Sequence, residues 1–161
     1  DGVWWTAGTP HTSAAARCVI FRSRPSGISP PPSVRPCSVR RMPSAEHITA
    51  TVNRYLDLVD VADADGIADL YAVDATIEDP VGGEVHIGRQ TIHGFYSNIA
   101  GTKNSHELHT VRACGHEAAF YWSLTVNGAM RIDIISTMNF DGEGKITSMK
   151  AYWGPANVTQ L

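Results

Sequence analysis

Cysteine is scarce in this chain of 161 residues. There are three, Cys18, Cys37 and Cys114, an odd count whose spacings fit neither a C-x-x-C site nor a disulfide framework. That pattern points to a reducing compartment, and so to the cytoplasm. No stretch approaches the roughly 18 consecutive apolar residues that a bilayer span needs, and Ala14 to Phe21, the nearest thing to a signal core, is interrupted by Arg17. A membrane span is excluded and secretion is disfavoured. Positive charge is also short: 13 Lys plus Arg face 16 Asp plus Glu, a net −3, which argues against a generally basic nucleic-acid binder. No Gly-rich phosphate loop, internal repeat or G-x-S-x-G nucleophile motif occurs.

What is present suffices for one compact domain, with 43% apolar residues. The composition is not uniform. Residues 1–41 hold six arginines, no lysine and one acid, Asp1, a net +5 that leaves −8 on the remainder. They also carry six of the nine prolines. The stretch PSGISPPPSVRP at 25–36 cannot sustain a helix or a central strand, because each proline removes an amide donor and restricts its predecessor. Residues 1–41 are therefore expected to be a disordered, non-native or mis-started extension, and 42–161 the folded domain.

Within 42–161, Ser44 is a good N-cap, and Ile48, Val52, Tyr55 and Val59 recur at helical spacing, predicting a helix over 44–61. The Asp63-Ala-Asp-Gly turn should cap a second helix, 64–72. TIEDP (76–80) and EVHIG (84–88) read as short strands, and 89–100 as a third helix. From Ser105 the period changes to 2. Ala118, Phe120, Trp122, Leu124 and Val126 share one face, Asn127-Gly128 is a strong hairpin signal, and Met130, Ile132, Ile134, Ser136, Met138 and Phe140 share the next. An Asp141-Gly-Glu-Gly turn and a last strand, 145–153, complete an α+β fold with helices on one face of a curved sheet.

Two residues break the pattern. Asp79 shares a strand face with Ile77, so a carboxylate points where an apolar side chain belongs; the plain alternative is an exposed strand-end residue. Ser136 interrupts five large apolar residues, and could equally be a small filler bonded to nearby backbone. A carboxylate in an apolar cavity has its pKa raised and suits general-base work.

The segments RYLDLVD (54–60), YAVDATIEDP (71–80), HIGR (86–89) with Phe95-Tyr96, and MNFD (138–141) with AYW (151–153) resemble the bacterial Δ5-3-ketosteroid isomerases in order and spacing. The resemblance spans about 45–155. It implies the cone-shaped nuclear-transport-factor-2-like fold, with three helices packed on a curved, mainly antiparallel sheet, a homodimer through that sheet, and an apolar pocket for a steroid or similar flat molecule. It also implies Asp79 as proton shuttle and Tyr55 as oxyanion donor; without it, Tyr55 reads as a half-buried helix anchor. Tyr71 and Tyr96 match tyrosines linked to the catalytic phenol, and Trp153 an indole beside the base. Phe95, Phe120, Trp122 and Met138 are expected to line the pocket. The sequence departs from the family at Ser136, which stands where a protonated aspartic acid serves as second oxyanion donor. Asp133 matches a different, non-catalytic aspartate of opposite strand parity.

No cofactor or metal is implied. His106 and His109 are three apart on a strand and face opposite sides, and His116 sits at a turn. Cys114 reads as a small apolar strand residue. The expected function is steroid Δ5–Δ4 isomerisation, slowed by the serine. The alternatives are a non-catalytic steroid or lipid binder, or another enzyme on the same cone, such as a polyketide cyclase, dehydratase or epoxide hydrolase. An epoxide hydrolase would want two acids flanking a cavity arginine; Arg131 and Asp133 lie on the outward parity, while Arg112 is not placed by pattern.

Overall fold

The computed structural model describes residues 42–161. The extension expected over 1–41 lies outside the described residues.

Helix α1 (Ala45–Asp60) opens as the sequence predicts, with the Ser44 hydroxyl accepting the His47 amide at 3.2 Å. Ile48, Val52, Tyr55, Leu56 and Val59 form its buried stripe. Full burial of each aliphatic side chain contributes roughly 1.5–3 kcal/mol. Asp63 caps α2 (Ala64–Leu70) by accepting the Gly66 amide. Here the expectation of a helix through residue 72 fails, because β1 (Tyr71–Glu78) begins where α2 ends. Its start is masked in the sequence by an irregular register between Tyr71 and Thr76 and by the exposure of Val73 and Asp74.

β2 (Val85–Ile87) pairs with β1, and α3 (Arg89–Ser97) ends three residues earlier than expected. β3 (Asn104–Cys114), β4 (Glu117–Val126), β5 (Met130–Phe140) and β6 (Ile146–Tyr152) follow as the antiparallel meander. The β4–β5 turn has Asn127 at φ 54° and Gly128 at φ 66°, the two left-handed residues that a type I′ hairpin needs. Gly144, at φ 81°, faces the His47 ring so closely that a Cβ would collide with it. A 3₁₀ turn (Pro155–Asn157) leads to β7 (Val158–Gln160), a strand too short for sequence pattern to reveal.

The sheet order is β2-β1-β6-β5-β4-β3, with β7 on β5 beside the stretch Met130–Ile132. One pairing is parallel, β1 with β6. Helix α1 packs on β3 and β4, α3 on β1 and β2, and α2 on α3, so all three helices cover one face. The inner residues of β4 and β5 are the predicted ones, and the two strands run in unbroken register from Val126↔Met130 to Glu117↔Asn139. No bulge displaces Ser136 from the inner face. Cys114 lies on a strand, as read from the sequence, at the exposed end of β3. Among the described residues, no helix is long and apolar enough to cross a membrane.

Candidate active site

Asp79 stands one residue past β1. Because β1 and β6 are parallel neighbours, their C-terminal ends meet at the same edge, and Trp153, just beyond β6, donates its indole Nε1–H to Asp79 Oδ1 at 2.6 Å. Hydrogen bonds to an ionised acceptor are short and strong. Glu78 pairs with Lys150, so Asp79 stands level with Ala151, whose partner on the other side is Ser136. The carboxylate and the serine thus occupy one row of the sheet, two strand spacings or roughly 10 Å apart.

Burial raises the Asp79 pKa above the ordinary carboxylate value, while the Trp153 hydrogen bond and the charge of His86 pull it partly back. A carboxyl group so placed is more basic than a surface one and still able to ionise.

Over this row, α1 delivers Tyr55, 2% exposed. Its hydroxyl lies 3.0 Å from that of Tyr96 on α3, which lies 3.5 Å from that of Tyr71 at the head of β1. The Tyr55 ring meets the Tyr96 and Trp122 rings edge-on at 6.1 and 6.4 Å. Burial is the main cause raising all three phenol pKa values, and the Asp79 charge adds to it. Each phenol therefore stays protonated and available as a donor. When Tyr55 gives its proton to a ligand, its oxygen can accept from Tyr96, and Tyr96 from Tyr71, each bond polarising the next.

Ser136 is 1% exposed. Its hydroxyl accepts the Trp122 indole N–H at 3.1 Å, so the filler reading, in which it bonds to backbone, is not what the structure shows. Phe120 and Met138 are fully buried beside it, and Phe95 is half-buried against Tyr96.

Sequence reasoning missed His86. It faces Ile77 across the β1–β2 ladder, so it points inward, and its ring lies 4.7 Å from that of Phe95. The signal was an inverted strand: Val85 and Ile87 are exposed while the histidine between them turns in.

The other polar candidates lie elsewhere. His106 pairs with Asp60 at 2.8 Å, and His109 bonds Ser123 on the opposite face. Arg131 and Asp133 join Ser123 on that outer face, and exposed Arg112 bonds Thr110 and the Val111 carbonyl. Among the described residues, no three His, Cys, Asp or Glu side chains converge as a metal site would require.

The SnoaL-like domain model matches residues 52–149. Over 118 residues, 71% of this chain and 95% of the relative, the sequence is 45% identical to a steroid Delta-isomerase of Nocardioides simplex. The chain belongs to the steroid Delta-isomerase family of SnoaL-like proteins. In this family setting, Asp79, Tyr55, Tyr71, Tyr96 and Trp153 all fall within or beside the matched span. The steroid Delta-isomerase-like chain also superposes on SalBIII, an epoxide hydrolase/cyclase-like enzyme with a role in pyran ring formation in polyether salinomycin. That match has a TM-score of 0.67 and 25% identity, and covers 72% of this chain and 97% of that one.

Proposed function

We propose that the protein is a steroid Delta-isomerase that moves the double bond of a 3-oxo-Δ5-steroid into conjugation with the ketone. The observation that carries the mechanism is Asp79, a half-buried carboxylate made more basic by its burial and held by Trp153. Asp79 takes a proton from the carbon between ketone and alkene, and the released electron pair moves into the carbonyl, giving a dienolate. The acid then returns the same proton to the far carbon of the former alkene, and the carbonyl re-forms. Atoms and electrons balance with no cofactor. The ketosteroid isomerases that this chain resembles use this acid–base logic. Tyr55 donates to the oxygen that gains charge, backed by Tyr96 and Tyr71. The pocket lining is assigned to Phe95, Phe120, Trp122, Met138 and Trp153.

A homodimer through the outer sheet face accompanies this reading. Tyr121, Ile135 and Tyr152 are exposed there and are direct neighbours across β4, β5 and β6, an apolar row of the kind that interfaces use. Sedimentation at micromolar concentration should give twice the chain mass; a monomer would remove this part of the reading. The cysteine pattern supports a cytoplasmic site of action.

An epoxide-opening reaction is not favoured, since Arg131 and Asp133 lie on the outer face and Arg112 is exposed. The decisive experiment follows the conjugated enone by absorbance as the full chain acts on a 5-ene-3-ketosteroid. Turnover should fall by about 10²–10⁴ in Asp79→Asn, the usual contribution of a general base. Saturable binding of the steroid without turnover in the unmutated protein would instead identify a binding protein.

A further inference from the structure

The Ser136 hydroxyl has an unspent proton. A serine oxygen carries one proton and two lone pairs, whereas an indole N–H can only donate. In the 3.1 Å bond between them the indole therefore occupies a lone pair and leaves the serine proton free. Among the described residues Ser136 Oγ makes no hydrogen bond besides this one, although the residue is only 1% exposed. Buried hydroxyl protons normally find partners. This one stands in the row that contains Asp79 and Ala151.

Trp122 and Ser136 are diagonal neighbours, since Trp122 faces Ile134 and Phe120 faces Ser136. The same indole lies edge-on against the Tyr55 ring. One side chain thus contacts both hydroxyl-bearing residues. Accepting the indole hydrogen bond has two effects on the serine: it limits the rotation of the hydroxyl, and it polarises the O–H bond towards stronger donation.

We propose that Trp122 is a positioning residue which, by donating to Ser136 Oγ, directs the serine proton at the ligand's carbonyl oxygen, so that Ser136 and Tyr55 together hold that oxygen as it gains charge. The inference rests on the isomerase reading above. The serine keeps its proton throughout; it contributes a hydrogen bond and takes no part in the proton transfer. The ligand class that fits is a flat ketone whose oxygen becomes an enolate.

The test is a double-mutant cycle on the full chain, using Ser136→Ala, Trp122→Phe and the pair, with kcat and KM from the enone assay. Ser136→Ala should lower kcat about 10- to 100-fold with little change in KM, less than or comparable to the loss of a strong oxyanion donor. Trp122→Phe should lower kcat about 3- to 10-fold, as expected for one neutral hydrogen bond, and should have no further effect when Ser136 is already alanine. If Trp122→Phe fails to fold, benzothienylalanine at position 122, which keeps the ring and lacks the N–H, replaces it. A steroid with a phenol in place of its ring-A ketone, a stable mimic of the enolate, should lose affinity in step with kcat across the series.

Full kcat in Ser136→Ala would overturn the inference while leaving the isomerase reading intact. Additive losses would also overturn it, by showing that Trp122 acts through packing alone. Absence of turnover in the unmutated protein would instead remove the isomerase reading, and this inference with it.

Discussion

Strands β4 and β5 carry two buried serines on opposite faces of the sheet, 3% and 1% exposed, and their surroundings differ in kind. On the outer face, Ser123 donates to Asp133 at 2.7 Å and accepts from Arg131 at 2.9 Å and from His109 at 2.7 Å. Its proton and both lone pairs are committed. On the inner face, Ser136 meets one indole. The acids divide in the same way. Hydrogen bonds from Ser123 and Arg131 hold the Asp133 carboxyl below the usual range, whereas burial pushes Asp79 above it. Polar groups on the outer face saturate one another, whereas those on the inner face are under-committed, as the proposed catalytic roles require.

The contrast is sharpest at the phenol. Tyr55→Phe removes the inner face's strongest donor and should lower kcat about 10²–10³-fold, roughly 3 kcal/mol, with KM nearly constant in the enone assay. On the outer face the effect should invert: Ser123→Ala should leave kcat unchanged and lower unfolding free energy by about 1–3 kcal/mol, because Arg131 and His109 lose a buried acceptor. Denaturant titration of both variants would test this, and a kcat defect in Ser123→Ala would break the division between faces. Tyr96→Phe, which acts only through Tyr55, should cost about 1 kcal/mol, or about 5-fold in kcat.

The smallest expected effect concerns pH. Asp79 binds its proton more tightly in the folded state than in the unfolded chain, so its contribution to stability is greatest below the unfolded carboxylate pKa and is lost as pH rises through the higher folded value. Asp79→Asn should therefore melt above the parent protein at neutral pH, with the gap closing on acidification. The parent's kcat should rise with pH over the same interval, since the base must be ionised to act. A variant no more stable at neutral pH would show that the carboxyl is better solvated than its position suggests.

Much of this architecture is legible in the sequence wherever one face is buried and the other wet. The stripe on α1, the alternation of β4 and β5, and the Asn127-Gly128 turn are of that kind, and Ser136 stands out because the alternation around it is so regular. The start of β1 is hidden because its pairing is irregular there and its side chains are exposed. Asp79 shows as an anomaly in its own strand, yet Trp153 as its partner follows from a parallel pairing 74 residues apart, which no local pattern encodes. The link among Tyr55, Tyr71 and Tyr96 entered through family resemblance alone. His86 was visible only to a reader willing to turn an apolar-looking strand inside out.

Arg89 adds a mechanical consequence. Its Nε and Nη2 both donate to the Tyr71 carbonyl, at 3.1 and 2.6 Å, from the first turn of α3, while Tyr96 in the last turn is tied to Tyr55 and Tyr71. The helix is a short beam clamped at both ends to the same strand. Ties at both ends resist displacement of α3 from the sheet, and so help to hold the Tyr96 hydroxyl in place behind Tyr55.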